Sequence, residues 1–383
     1  MEYVRLKDIG RIITGNTPPT SKPEYYGDYM PFIKATDISL GAKCTLVTEQ
    51  MYSELAAEKY KESLVPKGST CVVTIGSIGK KMTYAHTNLF VNQAINAIIP
   101  KNSYDKEYVY YTIRYSVLPQ LKKLDSGTTT GRENVSKSSF SGIRIPVIKD
   151  KSVQHRIASI LSTYDTLIEN NTKRIRLLEK MAENLYKEWF VRFRFPGYEK
   201  AEMENGLPKG WKVEKLGSLA NISTGKCNRE DAEEEGTFQL FDRSQEIKRS
   251  SKWIKDCEAI IVPGEGTSFV PRYYVGKFNL HQRCYCIEPL IPKIGKFLFY
   301  TIMFYRKYFL SVATGATVPS LRHNNFTYMK ITLPAKEFYT QFDEVVSDLF
   351  AEKDNLQHQN TLLARQRDLL LPRLMSGKLE VKP

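Results

Sequence analysis

The chain has 383 residues, 42% of them apolar and 11% aromatic, which excludes wholesale disorder and exceeds what one ordinary core needs; two domains are expected. Fifty-six Lys and Arg against 42 Asp and Glu leave a net charge of +14, an excess that favours a polyanionic partner, nucleic acid first. The charged start "MEYVRLKDIG" has no signal-peptide core, and the most apolar stretch, "KFLFYTIMFYRKYFL", is broken by Arg306 and Lys307 too early to cross a bilayer; a cytoplasmic protein without a membrane partner is expected.

In chain order, the elements return in a second copy. "VRLKDIGRIITG" (4–15) matches "VEKLGSLANISTG" (213–225), with Leu6 on Leu216 and Gly15 on Gly225, 210 positions later. "CVVTIGSIGKKMT" (71–83) reads as strand, tight turn and strand with lysines at its tip. Its G-x-x-G-K lacks the spacing of a phosphate-binding G-x-x-x-x-G-K-[ST] loop, and no equivalent turn is expected in the second copy. "VNQAINAI" (91–98) and "YYTI" (110–113) match "LHQRCYCI" (280–287) and "FYTI" (299–302) at 189. "LDSGTTTGRENVSKSSFSGIRIPV" (124–147) matches "VATGATVPSLRHNNFTYMKITLPA" (312–335), placing Gly127, Phe140 and Pro146 on Gly315, Tyr328 and Pro334 at 188. The offset falls from 210 to 189, so the second copy lacks about twenty residues, expected within 32–65 of the first.

A heptad seam follows each copy. The first runs Ile157, Leu161, Tyr164, Ile168, Asn171, Ile175, Leu178, Ala182, Leu185 and Trp189, alternating four and three, with no Pro or Gly between Lys151 and Phe195. The second runs Phe342, Val345, Leu349, Glu352, Leu356, Gln359, Leu363, Gln366 and Leu370 and is more polar. Asn171 and Gln359 take equivalent places, where a buried polar side chain fixes register; a solvated seam is the alternative. The organisation expected is a module at 1–150, a spacer helix at 151–195, a Pro-, Gly- and charge-rich linker at 196–210, a second module at 211–335, and a second spacer helix with its tail at 336–383. The fold class is α/β (α+β): two similar modules joined by two long helices pairing as an antiparallel coiled coil, with pseudo-twofold symmetry.

No catalytic constellation is found. N-P-P-[YF], G-x-G-x-x-G, H-E-x-x-H and P-D…E-x-K patterns are absent, and the five histidines have no metal-ligand spacing. Six cysteines form no C-x-x-C pair and read as free thiols of a reducing compartment. Neither a metal nor a cofactor is expected in this chain, which binds rather than reacts.

Two similar basic modules on a rigid spacer suit the reading of two separated patches of double-stranded DNA, with phosphate contacts for affinity and loop side chains at base edges for sequence. The loops diverge where the scaffold does not: "TTTGRENV" faces "ATVPSLRH". Loop position and hydrogen-bonding chemistry single out Thr14, Asn16, Thr17, Lys34, Lys80, Lys81, Asn92, Gln93, Thr129, Arg132 and Asn134 in the first module. In the second they single out Lys226, Asn228, Arg229, Arg243, Arg272, His281, Gln282, Arg283, Thr317, Ser320, Arg322 and His323. Gln93 and Gln282 lie in apolar strand contexts, where a buried structural role is the alternative. For the whole chain the alternative is a coiled-coil scaffold with generic basic DNA- or protein-binding modules, indifferent to DNA sequence.

"LLEKMAENLYKEWFVRFRFPG" (177–197), "LLLPRLMSGKLEV" (369–381), "QHRIASILSTYDTLIENN" (154–171), "LPKGWKVEKLG" (207–217) and "FVPRYYVGKFNLHQRCY" (269–285) follow in an order that resembles the specificity subunit of type I restriction–modification systems over essentially the whole chain. The resemblance implies two target recognition domains, each reading half of a bipartite DNA site, and a coiled coil that acts as a ruler and docks two modification subunits. It implies that those methyltransferase partners use S-adenosylmethionine to methylate adenine, and that restriction subunits using ATP and Mg join them. This chain would then belong to an enzyme complex without holding its active site.

Overall fold

The computed structural model describes residues 1–127, 133–233, 235–244, 246–315 and 317–381. The chain divides into two compact units, Met1–Lys173 with Leu356–Pro383, and Arg174–Asn355.

In the first unit, Glu2–Arg5 pairs antiparallel with Arg144–Val147, and the one-turn helix Leu6–Ile9 follows with Leu6 and Ile9 fully buried. The β-branched runs "GRIIT", "INAIIP" and "TCVV" form the antiparallel strands Gly10–Thr14, Ile95–Pro100 and Thr70–Val73, and Met82–Tyr84 completes this four-stranded sheet. Alternation divides their side chains between two cores: Ile12, Val72 and Ile98 on one face, Ile13, Cys71, Val73 and Ala97 on the other. Tyr26–Ile33 carries a second, three-stranded sheet with Gln50–Tyr52 and Phe90–Val91. The helix Lys106–Thr112 is capped by Asp105, whose carboxylate accepts from Tyr108 N at 2.9 Å.

The second unit repeats this order. Lys212–Lys215 pairs with Lys330–Leu333, and Leu216–Leu219 follows with both leucines buried. Ala220–Thr224, Cys284–Pro289, Lys255–Pro263, Arg272–Leu280, Phe238–Phe241 and Lys248–Ser250 make one six-stranded sheet. Gly295–Phe304 takes the place of Lys106–Thr112, and buried Thr112 and Thr301 each donate to a carbonyl one turn back. All six cysteines are free thiols.

The repeat departs from the sequence expectation at three places. The ends of the modules correspond at 186 rather than 188: Leu6 N donates to Ile143 O and Leu216 N to Met329 O, each at 2.8 Å. The ring matched to Phe140 is therefore Phe326, also fully buried, whereas Tyr328 is 60% exposed. The core selects the ring that can be buried, not the one spaced from a proline.

The extra residues of the first copy are divided. Sixteen residues, 34–49, separate Ile33 from Gln50, where six, 242–247, separate Phe241 from Lys248. Much of the remainder lies between Tyr52 and Thr70, where the helix Glu54–Lys59 is inserted.

The turn after Thr70–Val73 does have a counterpart, after Lys255–Pro263. Gly76 N donates to Glu133 O at 2.9 Å, and Gly266 N to Pro319 O at 3.0 Å. No lysine of the first turn is kept in the second, "GEGTSFVP", so the correspondence is carried by backbone bonds and not by residue type.

The spacer helices run Lys151–Tyr186, continued by a π-helical turn Lys187–Val191, and Lys336–Met375. Within the first unit they are antiparallel: Arg367 meets Asp165, and Asn171 Nδ2 donates to Gln359 Oε1 at 3.4 Å. Within the second, Arg174 meets Glu352 at 2.6 Å and the Tyr186 ring lies 6.3 Å from Phe342, again antiparallel. Of the first seam, Ile157, Leu161 and Asn171 are buried and Ile168, Ile175, Leu178 and Leu185 half-buried. Of the second, Leu356 is buried and Leu349, Leu363 and Leu370 half-buried. Val345 is 49% exposed, and Gln359 and Gln366 are exposed; the inward positions are Val346, Asn360 and Arg367. Phe342, Leu349, Leu356, Leu363 and Leu370 keep their expected places, and only the alternate positions move by one residue.

Candidate nucleic-acid interface

In the first unit, the ends of Gly10–Thr14 and Thr70–Val73 meet the start of Ile95–Pro100. Gly15 makes the junction possible: a Cβ there would lie 2.0 Å from Val91 O, and at Gly225 of the second unit 1.8 Å from Leu280 O. The strand ends are tied by Thr14 Oγ1 donating to Asn96 Oδ1 at 2.6 Å and Asn96 Nδ2 to Thr74 Oγ1 at 2.9 Å. Thr14 is thus half-buried and structural, while Asn16, Thr17 and Gln93 are exposed above it, Thr17 donating to Gln93 Oε1. Asn92 is half-buried and turns inward; its Oδ1 has no hydrogen-bond partner among the described residues.

Other candidates of this unit are engaged. Lys34 is paired with Glu49 and Lys81 donates to Ala35 O at 3.1 Å, while Asn134 is half-buried with its backbone N donating to Asp125 Oδ1 at 2.7 Å. Lys80 is exposed and lines a cleft of about 310 Å³ with Gly41, Arg114 and Asp368. Thr129 and Arg132 lie outside the described residues.

The second unit builds the same sheet end from charged groups. Glu265, in the turn after Lys255–Pro263, receives Arg243 Nη1 on Oε2 at 2.5 Å and Arg283 Nη1 on Oε1. Its side chain is 10% exposed, those of Arg243 and Arg283 46% and 58%. Burial pushes the Glu265 carboxyl up, but the two guanidiniums outweigh it and hold it below its ordinary value. Gln282 is exposed and donates to Asn228 Oδ1 at 2.7 Å, beside exposed Lys226.

His281 is buried and shapes this turn, its Nδ1 accepting from Arg283 N at 3.0 Å; burial first, then Arg243, lowers the imidazole pKa. Arg272 is a support rather than an exposed reader: it donates to Ser244 O and lies 5.8 Å over the Phe241 ring. Ser320 is half-buried and paired through its backbone with Thr314. Thr317 and Arg322 are exposed, and His323 Nε2 lies 3.1 Å from Ile222 O. The side chain of Arg229 lies outside those described.

Sequence reasoning missed Glu265 and also Asp242, which accepts from Lys248 and from Ser244 N. A signal existed for the first: "GEG" places a lone carboxylate between glycines directly after an apolar strand. Among the described residues, no group of three or more His, Cys, Asp or Glu side chains could hold a metal ion, and no helix is long and apolar enough to cross a membrane.

The model of the type I restriction modification DNA specificity domain matches residues 1–180 and 208–362, one match on each copy of the repeat. The chain belongs to this family. It is the DNA specificity subunit of a type I restriction–modification system, and not the subunit that carries out the reaction. The type I restriction enzyme MjaIX specificity subunit of Methanocaldococcus jannaschii is 27% identical over 416 residues, covering 99% of this chain and 93% of that protein. The EcoDI specificity subunit of Escherichia coli is 32% identical over 177 residues, 45% of this chain and 39% of that protein. The crystal structure of the S subunit of a type I restriction–modification system from M. genitalium shares the fold, with a TM-score of 0.55 at 18% identity over 97% of this chain and 95% of that one.

Proposed function

We propose that residues 1–150 and 211–335 of this specificity subunit are target recognition domains, each reading one half of a bipartite site on double-stranded DNA. The spacer helices at 151–195 and 336–383 set the number of unread bases between the halves and dock two modification subunits. Those partners use S-adenosylmethionine to methylate adenine, and restriction subunits using ATP and Mg complete the nuclease in the cytoplasm. One observation carries this reading. Each unit gathers exposed, bond-forming side chains on loops at the same end of its sheet, while only the strands beneath keep register. Asn16, Thr17 and Gln93 in the first unit, and Asn228, Arg243, Gln282 and Arg283 in the second, are the candidates for base edges; exposed Lys80, Lys226 and Arg322 suit phosphates.

The test is a selection from random-sequence duplex DNA by the full chain with its modification subunits at moderate salt. Two short motifs at a fixed gap are expected, with affinity falling steeply as salt rises. A flat sequence profile with salt-sensitive binding would leave only a generic basic scaffold.

A further inference from the structure

We propose that Glu265 is a positioning residue for base recognition: it holds Arg243 and Arg283 as a fork that reads a guanine in the half-site of the second module. The proposal rests on the reading of residues 211–335 as a target recognition domain. Its own support is the geometry of three loops.

The carboxylate gives one oxygen to each arginine, and the arginines come from separate turns, 241–244 and 281–283. Each guanidinium offers five donors, so a single N–H spent on Glu265 leaves the others available. The exposures are graded accordingly, the carboxylate nearly covered and the guanidiniums about half open. The fork keeps one net positive charge toward a polyanion. All three loops are fixed before any ligand arrives. Gly264 N donates to Arg283 O and Leu321 N to Gly264 O, each at 2.8 Å. Ser244 N donates to Asp242 Oδ1 at 2.8 Å, and Arg272 holds the Ser244 carbonyl.

One guanidinium would balance the covered carboxylate, and both arginines keep about half of their surface open, so the second is better explained by what the pair points at. Arginine at the O6 and N7 edge of guanine is the commonest specific contact in the major groove. The corresponding position of the first unit is Ile75, whose bridge to Asn134 mirrors that of Glu265 to Ser320. There no arginine fork is present among the described residues: the exposed groups include Asn16, Thr17 and Gln93, with Lys80 at the tip of the turn. The two modules therefore differ in recognition chemistry on a shared scaffold.

The experiment repeats the duplex selection with wild type, Glu265→Gln, Glu265→Asp and Arg283→Lys, each checked by thermal melting. Wild type is expected to return two motifs, the second containing a G·C pair. Glu265→Gln and Arg283→Lys should lower preference at that pair by about tenfold or more while the first motif and the gap stay unchanged. Glu265→Asp should restore part of the preference. A second motif without G·C, or one unaffected by Glu265→Gln, overturns the fork. Loss of both motifs with a lowered melting temperature also overturns it, making Glu265 a stability residue. No motif in the wild type would instead sink the two-domain reading on which the fork rests.

Discussion

Arg367 donates from Nη1 to Asp165 in the interior of the first unit, where each side chain is 2% exposed. Asp165 also accepts from the Tyr111 hydroxyl, and Arg367 Nε lies 3.0 Å from Asp368. Burial alone would lower the Arg367 pKa; Asp165, followed by Asp368, outweighs it and the shift is upward. Removing one member strands the other, so Asp165→Leu or Arg367→Met alone should destabilise the unit by about 3–5 kcal/mol. The double replacement should recover most of that loss, because an apolar pair needs no desolvation. Denaturant unfolding followed by hydrogen exchange at 157–173 measures both; additive losses in the double variant would contradict the coupling.

The Asn171–Gln359 contact is weaker, at 3.4 Å between a buried and an exposed residue. A polar side chain at such a seam lowers stability while choosing one register. Asn171→Leu is expected to raise the unfolding midpoint and to permit a second pairing of the helices. Disulfide trapping between cysteines introduced at 168 and 363 would detect it: one register should give a single cross-linked species, two registers a mixture.

How much of this was readable in the sequence depended on what repetition preserves. The segment 4–15 and its copy 213–225 are both strand, one-turn helix and strand, because Leu6, Ile9, Leu216 and Leu219 must all be buried. The helices were readable as heptads, but Arg367 was not, since a charged residue scores as outward until its partner is known. Asp165 pairs with it from 202 residues away, beyond any local pattern. At the module ends, matching Pro146 to Pro334 gave a plausible register, yet only the buried ring at Phe326 fixes the true one. Among the candidate contacts, residue type and loop position were legible, whereas engagement was not. Lys34, Arg272 and His281 are taken up by Glu49, the Ser244 carbonyl and the Arg283 amide.

Gly15 and Gly225 offer a test in which each module reports separately. The Cβ of alanine would overlap Val91 O in one and Leu280 O in the other, both main-chain atoms that cannot rotate away. Gly15→Ala and Gly225→Ala should each cost about 1–3 kcal/mol through forced backbone movement. In the duplex selection, Gly15→Ala should blur the first motif and spare the second, and Gly225→Ala the reverse. Equal blurring of both motifs by either variant would show that these junctions do not serve individual half-sites.

The second module should also respond to acid in two separable steps. His281 has its pKa lowered from the ordinary 6.5, by burial first and by Arg243 second, with Arg283 acting in the same sense and Asp242 and Glu265 opposing. The unfolded chain therefore binds a proton that the folded chain refuses as pH falls below 6.5, and stability declines over that interval. Glu265 and Asp242 have depressed pKa values, because their arginine, lysine and hydrogen-bond partners outweigh burial. Their contribution is fully present above the ordinary values of 4.5 and 3.8 and is lost only as pH falls through the lower folded values. The Arg243–Glu265–Arg283 fork should accordingly persist at pH 5, where His281 is already weakening the turn. Asparagine can replace the His281 Nδ1 acceptor without titrating, so His281→Asn should flatten the melting temperature between pH 7 and 5 and leave the steeper loss below 4.5. An unchanged slope above pH 5 in that variant would assign the upper step to another group.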